Sequence, residues 1–294
     1  MSILIVADRE GERQVALARG LSLAQAMGWD AEVVGFCYES LAGLDNVAHQ
    51  REAKRTLMDR RREEVEAQVA RHQSGNVRAK VVIGWEKLVH EWVDIRCDRM
   101  SHQAVIKTAH RSESFLYTPT DWHLLRECRA PVLIAAEEIW RPTHSIVAAV
   151  DLASRSRVKR ALNHAIVATA RDYAKALDNP LHLVHVVHVP AALKELHLVD
   201  EEAHTLKVTD AIRANAARLC KAHGISSAQV LVEHGDVDET IAETARRLQA
   251  QLVVMGTVGR QGVNAKIVGN TAERVLTRIP ADVLALKPGT GTTS

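Results

Sequence analysis

No apolar run in the chain approaches the roughly 18 residues that a membrane-spanning helix needs. Met1 leads directly into a short strand-like run ending at Asp8, without the basic, apolar and small-residue order of a signal peptide. The expected location is therefore the cytoplasm, with no membrane span. Cysteine is scarce as well. Cys37, Cys97, Cys128 and Cys220 are far apart in sequence and share no C-x2-C spacing, so they read as reduced structural thiols rather than a zinc site or a disulfide framework. Charge of one sign is also missing. The formal net charge is +2, with acids and bases interleaved, which gives no electrostatic case for a nucleic-acid groove. The densest basic run, Arg60 to Arg62, is followed at once by Glu63, Glu64 and Glu66, and reads as a solvated helix face laced with i,i+4 pairs.

What is present fits an ordinary globular protein. Apolar residues make up 47% and charged residues 25% of 294, enough for two compact domains. An internal repeat supports that division. Ile3-Leu4-Ile5-Val6-Ala7-Asp8 and Ile146-Val147-Ala148-Ala149-Val150-Asp151 are both buried-strand runs that end on an aspartate and open into a helical stretch. Setting Ile106 on Met255 aligns residues 104–111 with 253–260 at an offset of 149 residues, and the same offset carries Pro131 onto Pro280. The junction is expected around Trp140-Arg141-Pro142-Thr143, giving domains 1–140 and 141–294.

In the second half, strand-like runs at 145–151, 181–189, 228–233, 251–256 and 281–287 alternate with helical patterns. The first half repeats them near 3–8, 31–37, 78–84, 103–108 and 131–136. A helix over about 200–222 carries Leu206, Val208, Ile212, Ala216 and Leu219 and meets Gly224 as its stop. Strand–helix alternation predicts an α/β fold: two tandem five-stranded parallel-sheet domains with helices on both faces.

Ligands of open parallel sheets sit beyond the carboxyl ends of the strands, where strand order reverses. If strands one and four are neighbours there, the turn after Asp151 faces the loop after Met255. That loop has the spacing Gly256-x2-Gly259-x9-Gly269, followed by Asn270, Thr271 and a helical pattern over 272–276. Glycines let backbone N–H groups approach an anion, and a helix N-terminus adds partial positive charge. The loop is neither a Walker loop nor a G-x-G-x-x-G turn. On spacing alone, a plain strand-to-helix connection is an equal reading.

The aspartate ending strand one, the G-x2-G-x9-G loop after strand four and the tandem arrangement together resemble the universal stress protein family, in particular its two-domain bacterial members. The resemblance is strong over about 145–288 and degenerate before that. It implies an adenine nucleotide alpha hydrolase-like, Rossmann-like fold. It also implies ATP or another adenine nucleotide, accompanied by Mg2+, in the second domain, with a regulatory or protective rather than catalytic role. By matching position, Asp151 and Val186 would hold the adenine end, while Gly256, Gly259, Gly269, Asn270 and Thr271 would cradle ribose and phosphates. Asn270 stands where the family's ATP-binding pattern has Ser or Thr. It keeps the backbone donor and loses the hydroxyl.

In the first half, Lys107, His110 and Thr120 replace the three glycines, and Asp121 and Trp122 follow. An acidic Asp121 at a helix N-terminus would occupy the place an anion needs, so no nucleotide is expected there. All five tryptophans, Trp29, Trp85, Trp92, Trp122 and Trp140, fall in this half. They are expected to fill a diverged core and a plugged cleft; the alternative is a hydrophobic small ligand at the first domain. The family resemblance further implies that the halves pair as an intramolecular pseudo-dimer through their last strands, with homodimers left open.

Catalytic signatures are missing. His182, His185 and His188 resemble a ligand cluster, but strand alternation turns His185 to the opposite face and separates the outer pair by about 20 Å. His234 reads as a surface residue. Ser154 suits an N-cap and has no histidine–acid pair to activate it. Slow ATP hydrolysis, with Asp151 as the acidic group, is the enzymatic alternative.

Overall fold

The computed structural model describes residues 1–9, 11–73, 75–109, 119–137, 140–188, 201–257, 277–279 and 281–289, without the side chains of 119 and 201–208. Two compact units divide at Glu137/Glu138, where the sequence places the junction after Trp140. Trp140 accordingly belongs to the second unit.

The first unit runs β1 (Ser2–Val6), α1 (Val15–Met27), β2 (Asp30–Cys37), α2 (Val47–His72), β3 (Ala79–Trp85), α3 (Val89–Arg99), β4 (Val105–Thr108), α4 (Pro119–Glu127) and β5 (Val132–Ala135). Its strands lie in the order β3-β2-β1-β4-β5, all parallel. The second unit runs β6 (Ser145–Ala149), α5 (Arg157–Leu177), β7 (Leu181–Val187), α6 (Glu201–His223), β8 (Val230–His234), α7 (Val237–Arg247), β9 (Ala250–Gly256) and β10 (Asp282–Leu286). Its order is β10-β9-β6-β7-β8, again all parallel. The α/β fold with two five-stranded parallel arrays is as the sequence predicts. The helix expected over 272–276 lies outside the described residues.

Burial explains why the central strands read as unbroken apolar runs. Ile3, Leu4 and Ile5 of β1, and Ile146, Val147 and Ala148 of β6, are fully buried, as strands covered on both faces must be. Helix α5 shows the complementary pattern: Leu162, Ile166, Val167, Ala170, Tyr173 and Ala174 face inward at helical spacing. Its N-cap is Ser156, whose Oγ accepts the Lys159 N–H. Ser154 sits two residues earlier, where its Oγ accepts the Ser156 N–H, so the capping role expected of Ser154 belongs to Ser156. Helix α6 stops at Gly224, whose φ of +65° is the left-handed turn that glycine adopts without strain.

One charged residue departs from its expected place. Arg61 of α2 is buried rather than solvated, because its guanidinium turns inward to donate to the Asp8 carbonyl (2.6 Å) and to Glu64 (2.5 Å). Among the described residues, no helix is long and apolar enough to cross a membrane.

Candidate ligand site at the carboxyl edge of the second unit

Strand β6 pairs with β7 on one side and β9 on the other. The chain moves outward through β7 and β8, then crosses back to β9 and β10, so strand order reverses between β6 and β9. This is the switch point at which open α/β sheets take ligands. Three expected site residues stand at that edge, on or just after three adjacent strands: Val186 on β7, Asp151 after β6 and Gly256 at the end of β9.

Asp151 is held by its backbone and left available by its side chain. Asn163 of α5 accepts the Asp151 N–H through Oδ1 (3.0 Å) and donates through Nδ2 to the Asp151 carbonyl (2.8 Å). The carboxylate is 45% exposed, with Lys159 Nζ at 3.2 Å. Such a pair is weak and readily displaced.

The neighbouring loop residues are anchored from β7 and α6. His185 Nδ1 lies 3.1 Å from the Val150 carbonyl and 3.3 Å from the Leu152 N–H, while Asn215 Nδ2 donates to the Leu152 carbonyl (3.0 Å). One ring nitrogen either donates to Val150 or accepts from Leu152, according to tautomer. Burial pushes the His185 pKa down, opposed by the hydrogen bond to the Val150 carbonyl and by the charge of Asp151. Its Nε2 is buried without a hydrogen-bond partner among the described residues. The sequence offers His185 only as a doubtful metal ligand; its anchoring role depends on which backbone atoms lie above it.

Gly256 has a reason to be glycine that spacing alone does not reveal. A Cβ there would stand 2.5 Å from Leu162 Cδ2 and 3.2 Å from Ile166 Cδ1, so the glycine lets α5 pack down on β9. Thr257 then ties the loop's first residue to β10: its N–H donates to the Leu286 carbonyl (2.8 Å), with its hydroxyl 3.3 Å from the same oxygen. Gly259, Gly269, Asn270 and Thr271 lie outside the described residues. Val186 is half-buried, in register with Glu233 of β8. His234 is exposed at the end of β8.

The same edge of the first unit is filled from within. Asp8 is buried, and its Oδ2 accepts the Thr108 hydroxyl (2.6 Å), which itself accepts the Ala16 N–H (2.8 Å). Gln14 accepts the Asp8 N–H, and Arg61 takes the Asp8 carbonyl. Lys107 and Asp121, the residues at the Gly256 and Asn270 positions, form a 2.7 Å ion pair with side chains 7% and 0% exposed. Asp121 lies in the first turn of α4, where a carboxylate meets the helix dipole. His110 lies outside the described residues.

The tryptophans do not form the core expected of them. All five are half-buried. Trp92 meets Phe36 edge-on at 5.4 Å, Trp85 lies 5.8 Å from Tyr38 with Lys54 Nζ over its ring, and Trp122 carries Arg126 at 6.0 Å. Aliphatic residues supply the core, and these rings cover its margin with cations against their faces.

Comparison with known proteins adds an independent line. The description "Universal stress protein family" matches residues 142–287, within the second unit. Over 98% of the chain, the sequence is 31% identical to Universal stress protein E of Escherichia coli (strain K12), covering 94% of that protein. It is 27% identical to the Universal stress protein E homolog of Haemophilus influenzae, covering 98% of this chain and 97% of the homolog. A crystal structure of a functionally unknown protein from Pseudomonas aeruginosa PAO1 matches with a TM-score of 0.71 at 26% identity, over 98% of this chain and 92% of that one.

Proposed function

The chain belongs to the universal stress protein family, and from that premise we propose that its second unit binds an adenine nucleotide at the carboxyl edge of β7, β6 and β9. The ligand acts as a regulator or stabiliser rather than as a substrate for turnover. The observation that carries this reading is the state of Asp151. Its carboxylate stands half-exposed at the switch point on a backbone clamped by Asn163, whereas Asp8 of the first unit is buried and consumed by Thr108. Asp151 and Val186 take the adenine end in this reading. Gly256, Gly259, Gly269, Asn270 and Thr271 take the ribose and phosphates, with Mg2+ accompanying a triphosphate. The family places such proteins in the stress response, and a cytoplasmic location accords with it.

Calorimetry on the full chain with ATP and AMP, with and without Mg2+, tests the proposal. Binding is expected, weakened at least about tenfold by Asp151→Ala, the order of effect of one lost charge-assisted hydrogen bond. Absence of binding at millimolar nucleotide, or an Asp151→Ala protein that binds equally well, would sink it. Steady ATP turnover abolished by the same substitution would favour the weak-ATPase reading instead. A hydrophobic ligand at the first unit is the second reading, favoured by Trp85 and Tyr38 at the carboxyl ends of β3 and β2, where Tyr38 is 49% exposed. Quenching of tryptophan fluorescence by an acyl ligand, lost in Trp85→Ala, would support it.

A further inference from the structure

Two cysteines that are 31 positions apart in sequence meet across the packing of α3 on α4. Cys97 lies in the last turns of α3, half-buried. Cys128 directly follows α4, fully buried, with its N–H still bonded helically to the Leu124 carbonyl. Their thiols share a hydrogen bond. The adjoining residues form a second bridge in the same register, Arg129 Nε to Asp98 Oδ1 at 2.9 Å. Two turns earlier on α3, His90 stacks on His123 of α4 with ring centroids 4.1 Å apart and planes within 7°. Three side-chain contacts therefore fix how these two segments lie together, and one of them is a pair of thiols.

We propose that Cys97 and Cys128 are a dithiol modification site, oxidised by low-molecular-weight disulfides to a cross-link between α3 and the end of α4. Exposure assigns the roles. Cys97 alone is reachable, so its thiolate attacks the external disulfide, forming the mixed disulfide and releasing one small thiol. Cys128, buried behind it, then attacks the Cys97 sulfur, forms the internal bond and releases the second small thiol. The two cysteines lose two electrons and two protons, and the small disulfide gains both. Bond formation requires the sulfurs to close to about 2.05 Å.

The surroundings make this a slow site. The hydrogen bond to Cys128, burial, and the charges of Cys128, Asp94 and Asp98 hold the Cys97 thiol protonated well above its ordinary range. Since the thiolate is the attacking species, the raised pKa makes the reaction slow near neutrality and faster as pH rises. Closure of the pair ties down α4, the helix whose first turn carries Asp121.

The test incubates the full chain, with Cys37→Ser and Cys220→Ala to simplify mapping, with glutathione disulfide from pH 7 to 9. Peptide mapping should find residues 97 and 128 joined with loss of two hydrogens. Cys128→Ala should trap glutathione on Cys97, and Cys97→Ser should leave Cys128 unmodified. The cross-linked form should unfold roughly 5–10 °C higher, reversibly with dithiothreitol. A stable glutathione adduct on Cys97 in the presence of Cys128, or no reaction at Cys97, would overturn the proposal. Should Cys128→Ala fail to fold, the map of the parent protein decides alone.

Discussion

The two units share one plan and differ in what they do with the same aspartate. Asp8 and Asp151 each follow the central strand of a five-stranded array, and each has its N–H taken by an amide side chain of the following segment, Gln14 in one and Asn163 in the other. A threonine closes strand four in the first unit and follows it in the second, Thr108 and Thr257, at the 149-residue repeat offset. Thr108 turns to the Asp8 carboxylate, whereas Thr257 turns to the Leu286 carbonyl of β10. Strand ends thus decide whether an acidic group remains available. Among the described residues of the first unit's edge, the Asp8 carboxylate meets the Thr108 hydroxyl, and Lys107 and Asp121 supply cation and anion together. In the second unit Gly256 supplies neither.

The sharpest way to break that contrast is to remove half of each ion pair. Asp121→Ala leaves the Lys107 ammonium buried and is expected to cost about 3–5 kcal/mol. Lys159→Ala frees a half-exposed Asp151 and should cost less than about 1 kcal/mol. Urea unfolding of the full chain reads both. Lys107→Met combined with Asp121→Leu should recover most of the larger loss, because a well-packed apolar pair can replace a buried ion pair. Equal, small effects from both single substitutions would mean that the first edge is solvated and the contrast false.

Next in size is the test of Gly256. Gly256→Ala drives a Cβ into Leu162 and is expected to destabilise the second unit by about 1–3 kcal/mol. Introduced on top of Leu162→Ala, the same change should cost almost nothing, a coupling that contact predicts. In the first unit the close approach is made from the helix side: Gly20 of α1 faces Ile5 and Ile106, with Ile5 Cδ1 2.5 Å from where its Cβ would be. Gly20→Ala should therefore cost a similar amount. Should Gly256→Ala leave stability intact but abolish nucleotide binding, the glycine serves the loop rather than the helix.

Much of this was legible because periodicity and spacing report on burial and repeats. The apolar runs placed all ten strands, Gly224 marked a helix end, and Lys107 in place of Gly256, with Asp121 in place of Asn270, pointed to an edge filled from within. What sequence could not show are contacts made sideways between elements. Arg61 sits in a charged run, so a solvated face is the natural reading; it is drawn inward because Gly35 leaves room beside it, with Nε 3.2 Å from where a Cβ would stand. Cys97 and Cys128 share no motif, since only the packing of α3 on α4 joins them. Ser154 and Ser156 are chemically identical cap candidates, and backbone geometry alone assigns the cap to Ser156. Tryptophan counts suggest a core, but size and amphipathic character leave all five rings half-buried at margins.

The smallest effect tests the most specific difference between the units. Ala7 N–H bonds to the Val34 carbonyl, and Val150 N–H to the Val184 carbonyl, so Gly35 and His185 occupy matching places. Arg61 fills the space beside Gly35 and bonds the Asp8 carbonyl with a permanent charge. His185 lies against the Val150 carbonyl with a group that titrates. Because burial lowers the folded-state pKa of His185, the unfolded chain takes the proton first, near pH 6.5. The stability held by neutral His185 is therefore complete above that pH and declines as pH falls below it, by at most about 1.4 kcal/mol per pH unit. The difference in urea midpoint between the parent and His185→Gln should be constant above pH 7 and shift against the parent by pH 5.5. Other histidines titrate alike in both proteins and cancel. A difference that stays constant across the range would show that His185 is protonated as easily folded as unfolded, and that the second edge is held as independently of pH as the first.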